Sequence, residues 1–587
     1  MKGFHGKLLR IDLTSHSFQE EKIPEEVLKR YLGGKGLGSY LLLQNVAAGI
    51  DPLSPENKLI FTAGPATGTR MPGSVRHGIY SKSPLTGGYA ESYAGGKVAL
   101  QMKAAGYDAV ILGGRAKEPV LLEISDQGIK FHSARDLWGK DTYATQDAAV
   151  ERSGIADAQA VVIGPAGENT VRLACVENNY WRSAGRGGLG AVLGSKNVKA
   201  VVFHGRTPTA VEDEKALKTF ITGLLAASKD LPAVKNYRKY GTPQMVALLN
   251  TAQAFPTRYW SRGVLEGWEK ISGEALITHS NLEVRARSCP NCFLACGKLI
   301  TIKAGPHAGL TIEGPEYETI YSFGGLCCID RLEDIIHLND LCDRLGMDTI
   351  SAGNLVALAM EARERGLARE FPAYGDAAGA ARLLEEMASR KGPGAVLADG
   401  IVRAARALGL EDAAVHVKGL EPAGYDPRVL KGMGLGYATS ARGACHLRAT
   451  FYKPELAGII PPDAVEGKAA LYIELEDRLT IFNTLINCVF YRDMLQWPEL
   501  KTLIKAVTGW DYSVAELRRT ANEIITLTHF FNLRAGLGRE SDALPKRLHN
   551  QPLPETDATL SDAELSHMIQ EYYHIRGWGD KDKVYDL

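Results

Sequence analysis

The chain has 587 residues, of which 45% are hydrophobic and 23% are charged, a composition typical of a globular protein. Because one hydrophobic core stops growing at about 250–300 residues, this length predicts three or four domains. Lysine plus arginine equals aspartate plus glutamate, at 68 each. No net field therefore attracts nucleic acid or an anionic membrane, and neither is expected as a partner.

The N-terminus and the hydropathy predict the location of the protein. Residues 1–18 alternate apolar and polar side chains, like a first strand, and lack the continuous apolar core of a signal peptide. No run approaches the ~18 apolar residues that span a bilayer. The sequence therefore predicts no membrane segment and a cytoplasmic location.

Residues 1–207 are predicted to form a β-rich domain, because short strands alternate with glycine-rich loops and not with regular crossover helices. Helical patterns occur at 24–43 and 95–105, and no internal repeat is evident. The predicted strands are 7–13, 58–63, 109–113, 120–124, 160–163, 171–176 and 198–203.

From residue 208 the apolar side chains recur with the 3.6-residue period of a helix. Two mainly helical domains are predicted, over 208–412 and 413–587, so the predicted fold class is α+β. The predicted helices are 212–228, 242–251, 331–345, 351–365, 377–389, 395–408, 461–490 and 513–532.

Three cysteines lie close together at Cys289, Cys292 and Cys296, and Cys488 lies far downstream among apolar residues. Iron–sulfur clusters take four thiolate ligands, and three close cysteines with one distant cysteine supply them. Zinc sites more often contain two C-x2-C pairs or a mixture of cysteine and histidine. The pattern favours a [4Fe–4S] cluster, with a zinc site or unligated buried thiols as the alternatives.

Two glycine-rich segments are accompanied by arginines. Gly185 begins a G-x-G-x-x-G run flanked by Arg182 and Arg186, and Arg76 precedes a second glycine turn that begins at Gly95. The run does not directly follow a strand, which argues against a dinucleotide fold. Backbone N–H groups and guanidinium groups together suit an anionic cofactor. The alternative is a pair of tight packing turns.

Carboxylates and one histidine are further candidates. Glu313, Glu316 and Glu318 lie within six residues, and the segment 343–348 begins and ends with aspartate around a glycine. The first group is a charged turn or a catalytic site, and the second is a helix C-cap or a binding site for a heterocycle. His446 is isolated in the sequence, and such histidines are more often structural than catalytic.

Short motifs along nearly the whole chain carry a family resemblance. They are GKLLRIDL (6–13), DPLSPENK (51–58), GPATG (64–68), KSPLTG (82–87), GYDA (106–109), IGPAGEN (163–169), GRGGLG (185–190), GPEYE (314–318), YDPR (425–428), GLGYAT (434–439), FNL (531–533) and LPKR (544–547). In this order they resemble the tungsten- or molybdenum-dependent aldehyde:ferredoxin oxidoreductases.

The resemblance implies a tungsten (or molybdenum) ion held by two pyranopterins whose phosphates are bridged by magnesium. Two D-x-x-G-x-[C/D] turns of the family hold the pterin rings. The first corresponds fully to 343–348, and the second to 483–488 with Asn and Ile in place of Asp and Gly. Tyr93 replaces an asparagine near the magnesium. The residues implied to bind this cofactor are Arg76, Gly95, Arg182, Ser183, Gly185, Arg186, Asp343, Gly346, Asp348, Arg448 and Asn483.

The resemblance also implies a reaction, the oxidation of a small-molecule aldehyde to a carboxylic acid. Glu318 and His446 match the acid/base residues of the family, in agreement with the need for a proton acceptor when a carbonyl is hydrated and oxidised. The four-cysteine cluster is implied to pass electrons singly to ferredoxin or to a partner electron-transfer subunit.

Two further features of the family qualify this prediction. Cys327 resembles a cysteine that ligates tungsten in the benzoyl-CoA reductase catalytic subunits, so the alternative function is a benzoyl-CoA-reductase-like subunit of a larger low-potential complex. Some members form homodimers around a bridging iron, and His337 replaces one of its glutamate ligands. A homodimer is therefore an alternative state, without support for the iron.

Overall fold

The computed structural model describes residues 1–579. Its N-terminal part contains two six-stranded sheets, with strand orders β2-β1-β6-β3-β4-β5 and β8-β7-β12-β9-β10-β11. The strands are β1 Lys7–Asp12, β2 Ser17–Lys22, β3 Leu59–Thr62, β4 His77–Lys82, β5 Tyr89–Ala94, β6 Ala109–Gly113, β7 Val120–Ser125, β8 Gly128–Ser133, β9 Gln159–Val162, β10 Val176–Asn178, β11 Arg182–Ala184 and β12 Val198–His204.

The two sheets are structural duplicates. In each, one pair is parallel, β1 with β6 and β7 with β12, and the other four pairs are antiparallel in the same order. A twelve-residue helix enters each repeat before its third strand, α2 in the first and α4 in the second. The expectation of no internal repeat was wrong, because the repeat is conserved in strand pairing and not in side-chain sequence.

The helices form most of the remaining chain, as the α+β prediction requires. Their bounds are α1 Glu25–Tyr31, α2 Gly34–Asn45, α3 Val98–Ala104, α4 Thr142–Ser153, α5 Pro165–Glu168, α6 Leu189–Ser195, α7 Glu214–Ser228, α8 Pro232–Tyr240, α9 Met245–Thr251, α10 Gly273–Thr278, α11 Tyr317–Thr319, α12 Leu332–Leu345, α13 Thr349–Glu364, α14 Ala377–Ser389, α15 Ile401–Leu408, α16 Lys431–Thr439, α17 Tyr452–Leu456, α18 Lys468–Thr484, α19 Trp497–Thr508, α20 Val514–Arg534, α21 Lys546–Asn550 and α22 Asp562–Arg576.

The predicted strand 171–176 was wrong except at its last residue. Its apolar side chains are buried, but its backbone pairs with a turn of the helical region and not with a sheet: Cys175 N donates to Gly346 O at 3.0 Å, and Asp348 N donates to Leu173 O at 3.2 Å. A buried apolar run looks the same in sequence whether its partner is a strand or a turn.

The predicted helix 24–43 is two helices, because the backbone reverses between them. Leu32 has a φ of 54° and Gly34 a φ of 41°, and both angles lie outside the right-handed helical region. A Cβ on Gly34 would collide with the carbonyl oxygens of Asn483 and Thr484. This close approach places the start of α2 directly against the C-terminal helical region.

A three-stranded antiparallel sheet carries the cysteine segment into the helical region. Its strands are β13 Leu282–Arg287, β14 Gly297–Ile302 and β15 Thr311–Glu313. The segment 288–296 connects β13 to β14, so the three close cysteines lie on a loop that is anchored at both ends by paired strands.

The hydrophobic cores of the N-terminal part are arranged in the same way around the two sheet repeats. One core fills the space between the two sheets, and α2 and α4 cover their outer faces. The largest core joins residues on both sides of position 412, and the division of the helical region at that position stays a prediction. Among residues 1–579, none of the helices has the length and apolar character needed to cross a membrane.

Candidate active site

A cavity of about 380 Å³ lies where the two sheets meet the helical region. It shares a wall with a second cavity of about 310 Å³, and Gly95, Arg182, Ser183, Gly185 and Glu318 line both. The glycine turns predicted to hold a cofactor are structurally equivalent, since each joins the fifth strand of a sheet repeat, the edge strand β5 or β11, to the following helix. The duplicated sheets therefore present duplicated turns to one continuous space.

All four predicted cluster cysteines line the 380 Å³ cavity. Burial raises the pKa of Cys488 to about 11, and the nearby Arg76 guanidinium opposes that rise. Tyr491 donates a hydrogen bond to Cys292 Sγ at 3.3 Å. A Cβ on Gly95 would lie 3.3 Å from Cys289 Sγ, so this glycine lets the thiol approach the sheet edge.

The spacing of these thiols suits a cluster better than a single ion. Among the residues that the structure describes, no group of three or more His, Cys, Asp or Glu side chains converges on one metal position. In a [4Fe–4S] cubane each thiolate binds a different iron, so the four sulfurs stand further apart than the ligands of one ion. The donor set and its placement in one cavity fit a cubane.

The first turn, 343–348, follows α12 and precedes α13. Gly346 ends α12 with a φ of 75°, and Asp348 caps α13 by accepting hydrogen bonds from Ile350 N at 3.1 Å and Ser351 N at 3.3 Å. Asp343 and Asp348 both line the 310 Å³ cavity. Burial, followed by the charge of Glu177, raises the pKa of Asp343 well above its usual value. A carboxyl in this state can donate as well as accept hydrogen bonds.

The second turn, 483–488, follows α18 and makes the equivalent contact with the other sheet repeat. Cys488 N donates to Gly73 O at 2.9 Å, as Asp348 N donates to Leu173 O. Ile486, at the position of the family's glycine, has a φ of 59°. Cys488 lines the cavity, but the structure does not place the side chain of Asn483 there.

The predicted arginines divide into three kinds. Arg76 and Arg182 line the cavity, with Arg182 ion-paired to Glu313. Arg186 also reaches the cavity, but its guanidinium is held by Asp348 at 3.0 Å and by the carbonyl oxygen of Glu421 at 2.8 Å. It therefore joins the second sheet repeat to the first turn.

The structure places Arg448 away from the cavity. Its guanidinium pairs with Glu91 and lies 6.0 Å from the centre of the Tyr93 ring, whose other neighbour is Arg76 at 4.9 Å. Arg448 lines a separate cavity of about 20 Å³, the size of one or two water molecules, beside Lys35. Arg448 does not line either of the two larger cavities, and its contact with a cofactor stays a prediction.

Glu318 and His446 form a pair in the wall of the cavity. His446 Nε2 is 3.4 Å from Glu318 Oε1, and the other carboxylate oxygen accepts a hydrogen bond from Gly424 N at 3.0 Å. Apart from this contact, Glu318 Oε1 accepts no hydrogen bond, and His446 Nδ1 has no hydrogen-bond partner. Both side chains are slightly exposed, at 17% and 11%, and both line the cavity.

Burial reverses the usual ionisation of this pair. It raises the pKa of Glu318 to about 8 and, together with Arg442 and Arg186, lowers the pKa of His446 well below 6.5. At pH 7 the carboxyl is therefore mostly protonated and the imidazole is neutral. A carboxyl with a pKa near the working pH is well suited to accept and return a proton.

Several cavity residues were missed by the sequence analysis. Tyr237, Tyr425, Tyr452, Arg442 and Arg492 line the same space as Glu318 and His446. Tyr425 begins the YDPR motif, so the resemblance contained a signal for it. The others come from separate helices and loops, and no spacing in the sequence could have brought them together.

Two other candidates lie outside the site. Cys327 is fully buried at the end of a π-helical segment, Ile320–Leu326, and its Sγ donates to the carbonyl oxygens of Ser322 and Gly353 at 3.4 Å each. It does not line either cavity. His337 stacks on His307 with ring centres 4.2 Å apart, also away from the cavity.

Two adjoining cavities lined by a carboxyl–imidazole pair and four thiols suit an oxidoreductase with a bound redox cofactor. The family model for aldehyde ferredoxin oxidoreductase matches in two parts, its N-terminal domain over residues 8–205 and its domains 2 and 3 over residues 221–584. The chain belongs to the aldehyde ferredoxin oxidoreductase family.

Relatives agree with this assignment. The tungsten-containing aldehyde ferredoxin oxidoreductase of Pyrococcus abyssi is 37% identical over 100% of this chain and 98% of its own length. The aliphatic sulfonate oxidoreductase, WOR-like subunit, of Pyrococcus furiosus is 31% identical over 76% of this chain and 75% of its length.

A solved structure shares the fold. The active-site complex BamBC of benzoyl coenzyme A reductase, in complex with 1,5-dienoyl-CoA, superposes with a TM-score of 0.84 and 24% identity. The match covers 99% of this chain and 95% of that one.

Proposed function

We propose that this enzyme oxidises an aldehyde to a carboxylic acid at a tungsten (or molybdenum) ion held by two pyranopterins, and that electrons leave through a [4Fe–4S] cluster. The observation that carries the proposal is that Glu318, His446 and the four cysteines line one cavity. The names of the full-length relatives, which contain tungsten and act on aldehydes with ferredoxin, support it.

The duplicated scaffold supports a cofactor with two similar halves. Each sheet repeat contributes one glycine turn to the cavity and makes backbone hydrogen bonds to a turn of the helical region. Unpartnered polar atoms around the cavity, Arg442 Nε among them, provide donors for a polar ligand. When bound, the tungsten–pterin group would supply a centre that accepts two electrons.

Magnesium receives less support from the side chains. The Tyr93 hydroxyl donates a hydrogen bond to Glu91 Oε2 at 2.5 Å and is therefore already engaged within the protein. We propose that any magnesium at this site is held without the Tyr93 side chain.

Glu318 is the proposed proton acceptor. Converting an aldehyde and water into a carboxylic acid releases two electrons and two protons, so a base must accept a proton. Glu318 lines the cavity, and the hydrogen bond from Gly424 N to Oε2 fixes the orientation of its carboxyl group. We propose that neutral His446 orients the carbonyl and relays the proton from Glu318 across their 3.4 Å separation.

The cluster is proposed to hand electrons to ferredoxin or to a partner electron-transfer subunit. Cys289 lines both the internal cavity and a separate open groove of about 590 Å³. Lys97 and Arg287 border this groove together with Asp147 and Glu151, so a redox partner would meet charges of both signs there. A cytoplasmic location and a homodimer stay predictions.

The benzoyl-CoA-reductase-like alternative is not proposed for this chain. The structural likeness concerns the fold, and Cys327 lies apart from the cavity.

A viologen assay on the anaerobically purified enzyme tests the proposal. Wild type is expected to contain tungsten or molybdenum and to reduce viologen when an aldehyde is added, with activity rising through pH 8 as Glu318 loses its proton. Glu318→Gln is expected to lower kcat by about 10²–10⁴-fold with unchanged metal content.

Glu316→Gln is the matched control, because Glu316 lines the same cavity and already accepts a hydrogen bond from Thr242, which glutamine can preserve. Metal-loaded wild-type enzyme that oxidises no aldehyde would contradict the proposed function. Equal losses in the two variants would contradict the role of Glu318.

A further inference from the structure

Arg492 is a buried cation whose guanidinium is largely unused by the protein. Its side chain lies in the wall of the 380 Å³ cavity and the residue is 3% exposed. Nη1 donates to Val489 O at 2.9 Å, whereas Nε and Nη2 are buried without a hydrogen-bond partner. Burying a guanidinium with two unpaired N–H donors destabilises a protein unless another group accepts hydrogen bonds from them.

The neighbours of Arg492 do not supply that group. Tyr237 and Tyr452 are close enough to influence its charge, but neither forms a hydrogen bond of good geometry with Nε or Nη2. Asp493, the next residue, forms an ion pair with Lys453, and the side chains of both are more than 30% exposed. Asp493 is near enough for the Arg492 charge to lower its pKa, but it accepts its hydrogen bond from Lys453 and none from Nε or Nη2 of Arg492.

The two free donors define the chemistry of the missing partner. Nε and Nη2 form one edge of the guanidinium plane, and this edge can donate two parallel hydrogen bonds to the two oxygens of a carboxylate. A neutral carbonyl or a single water would satisfy one donor and leave the charge unpaired. The geometry of the free edge therefore favours a carboxylate.

The position of Arg492 separates it from the electron-transfer part of the cavity. Arg76, and not Arg492, is the principal cation beside the Cys488 thiol. Arg492 lies instead with the aromatic side chains Tyr237, Tyr452 and Phe490, and its charge reaches His446. This is the part of the cavity where a substrate beside Glu318 and His446 would extend.

We propose that Arg492 binds the carboxylate of the substrate, and that the enzyme acts on aldehydes that carry a carboxylate group elsewhere in the molecule. The inference rests on the proposed aldehyde oxidation and adds a substrate class to it. The aromatic wall accommodates a ring or a short carbon chain between the two functional groups.

Matched substrate pairs test the proposal. Wild type is expected to prefer 4-carboxybenzaldehyde to benzaldehyde and succinic semialdehyde to butyraldehyde. Arg492→Met is expected to lower kcat/KM for the carboxylate-bearing member of each pair by roughly 100-fold, mainly through KM, because a charge-assisted hydrogen-bonded pair is lost. The neutral members should change by less than about threefold, the size of a typical surface effect.

Two further variants separate this role from a structural one. Arg492→Lys keeps the charge but not the two-donor edge, so it should recover part of the lost KM. Lys453→Met removes a neighbouring cation that lies outside the cavity wall, and it should leave the substrate preference unchanged. Tungsten and iron contents are measured for every variant.

A binding measurement keeps the test independent of turnover. Benzene-1,4-dicarboxylate should raise the melting temperature of wild-type enzyme more than benzoate does, and this difference should vanish in Arg492→Met. If no aldehyde is oxidised but the difference is seen, the proposed function fails and the anion site stands.

Equal loss of activity on charged and neutral aldehydes would overturn the proposal, since Arg492 would then act at the reaction centre. Loss of tungsten from Arg492→Met would also overturn it, because the arginine would then be a cofactor ligand. Identical melting shifts with the two carboxylates in wild type would overturn it as well.

Discussion

The two turns that face the cofactor cavity make the same contacts with different residues. A Cβ on Gly164 would collide with Leu345 O in the first turn, and a Cβ on Gly64 would collide with Leu485 O in the second. Each glycine lies two residues after the end of the third strand of its sheet repeat. The scaffold requires a glycine in the sheet domain at both places, because the turn backbone passes too close for a side chain.

The two turns differ in which partner carries a side chain at the contact and which partner is a glycine. At the first turn Gly346 has no side chain, and Thr142, the first residue of α4, donates a hydrogen bond to Asp343 O at 2.7 Å. At the second turn the first residue of α2 is Gly34, and the fully buried side chain of Ile486 fills the space beside it.

The difference shows how a glycine can be replaced in a left-handed position. Ile486 keeps a φ of 59°, which costs an L-residue about 1–2 kcal/mol. Burial of its side chain offsets that cost. The second turn therefore keeps its backbone conformation despite the isoleucine in place of the family's glycine, and only the side-chain packing at the contact differs.

Cys488→Ser is expected to have the largest effect, because it removes a cluster ligand from the second turn. The cluster absorbance and most of the iron should be lost, while the pairing of the first turn with the second sheet repeat should persist. Iron analysis and the visible spectrum measure this outcome. Cys327→Ser is the control, since that thiol lies outside the cavity; a normal cluster in Cys488→Ser would remove the main difference between the turns.

Asp348→Ala should be the most destabilising change at the first turn. It removes the cap of α13 and leaves the buried Arg186 guanidinium without its nearest carboxylate. Breaking such a buried pair costs about 3–5 kcal/mol. Urea unfolding measures it, and Asp348→Asn, which keeps the cap but not the charge, should lose less; equal losses would show that the ion pair contributes nothing.

Gly346→Ala should destabilise the protein by about 2–4 kcal/mol. The left-handed φ contributes about 1–2 kcal/mol, and the new Cβ would lie 2.9 Å from Gly164 N, which adds an overpacking cost. Gly366→Ala is a matched control, because Gly366 has a φ of 74° in open surroundings. The difference between the two variants in urea unfolding isolates the contact with the sheet repeat, and no difference would exclude it.

Ile486→Gly, which restores the family residue, should have the smallest effect, a loss of about 1–3 kcal/mol. Deletion of a buried isoleucine costs about 2–5 kcal/mol, and relief of the left-handed backbone returns about 1–2 kcal/mol. Ile481→Gly is not a suitable control, because Ile481 lies in a helix. Ile486→Ala is the control: it keeps the left-handed backbone strain, so it should lose more unfolding free energy than Ile486→Gly. The opposite order would contradict the account of the strain.

The sequence predicted the fold class and a set of residues that the structure brings together. The four cysteines, Glu318 and His446, each marked by a local pattern, line one cavity, and their roles stay predictions. The sheets were harder. Strands β4 and β5 are almost entirely buried, yet contain His, Lys, Glu and Ser, so they lack both the apolar run and the alternation that mark a strand.

The duplication was invisible for a related reason. Pairing order is a property of hydrogen bonds between distant segments, and it survives when the side chains diverge. The structure does not place the side chains of Arg448 and Asn483 in the wall of the cavity, because a position in a motif does not determine which way a side chain points.

The hydrogen bond from Cys488 N to Gly73 O fixes a cysteine at the contact between the second turn and the first sheet repeat, and this position bears on electron transfer. The scaffold has two similar halves, but only one of its two contact turns ends in a thiol that lines the cluster site, whereas the other ends in the carboxylate of Asp348. The two sheet repeats are thus similar, but only one of them contacts a turn that ends in a thiol. A ligand bound across both repeats would have a path for electrons on the side of Cys488 and none on the side of Asp348, so electrons would leave in one direction.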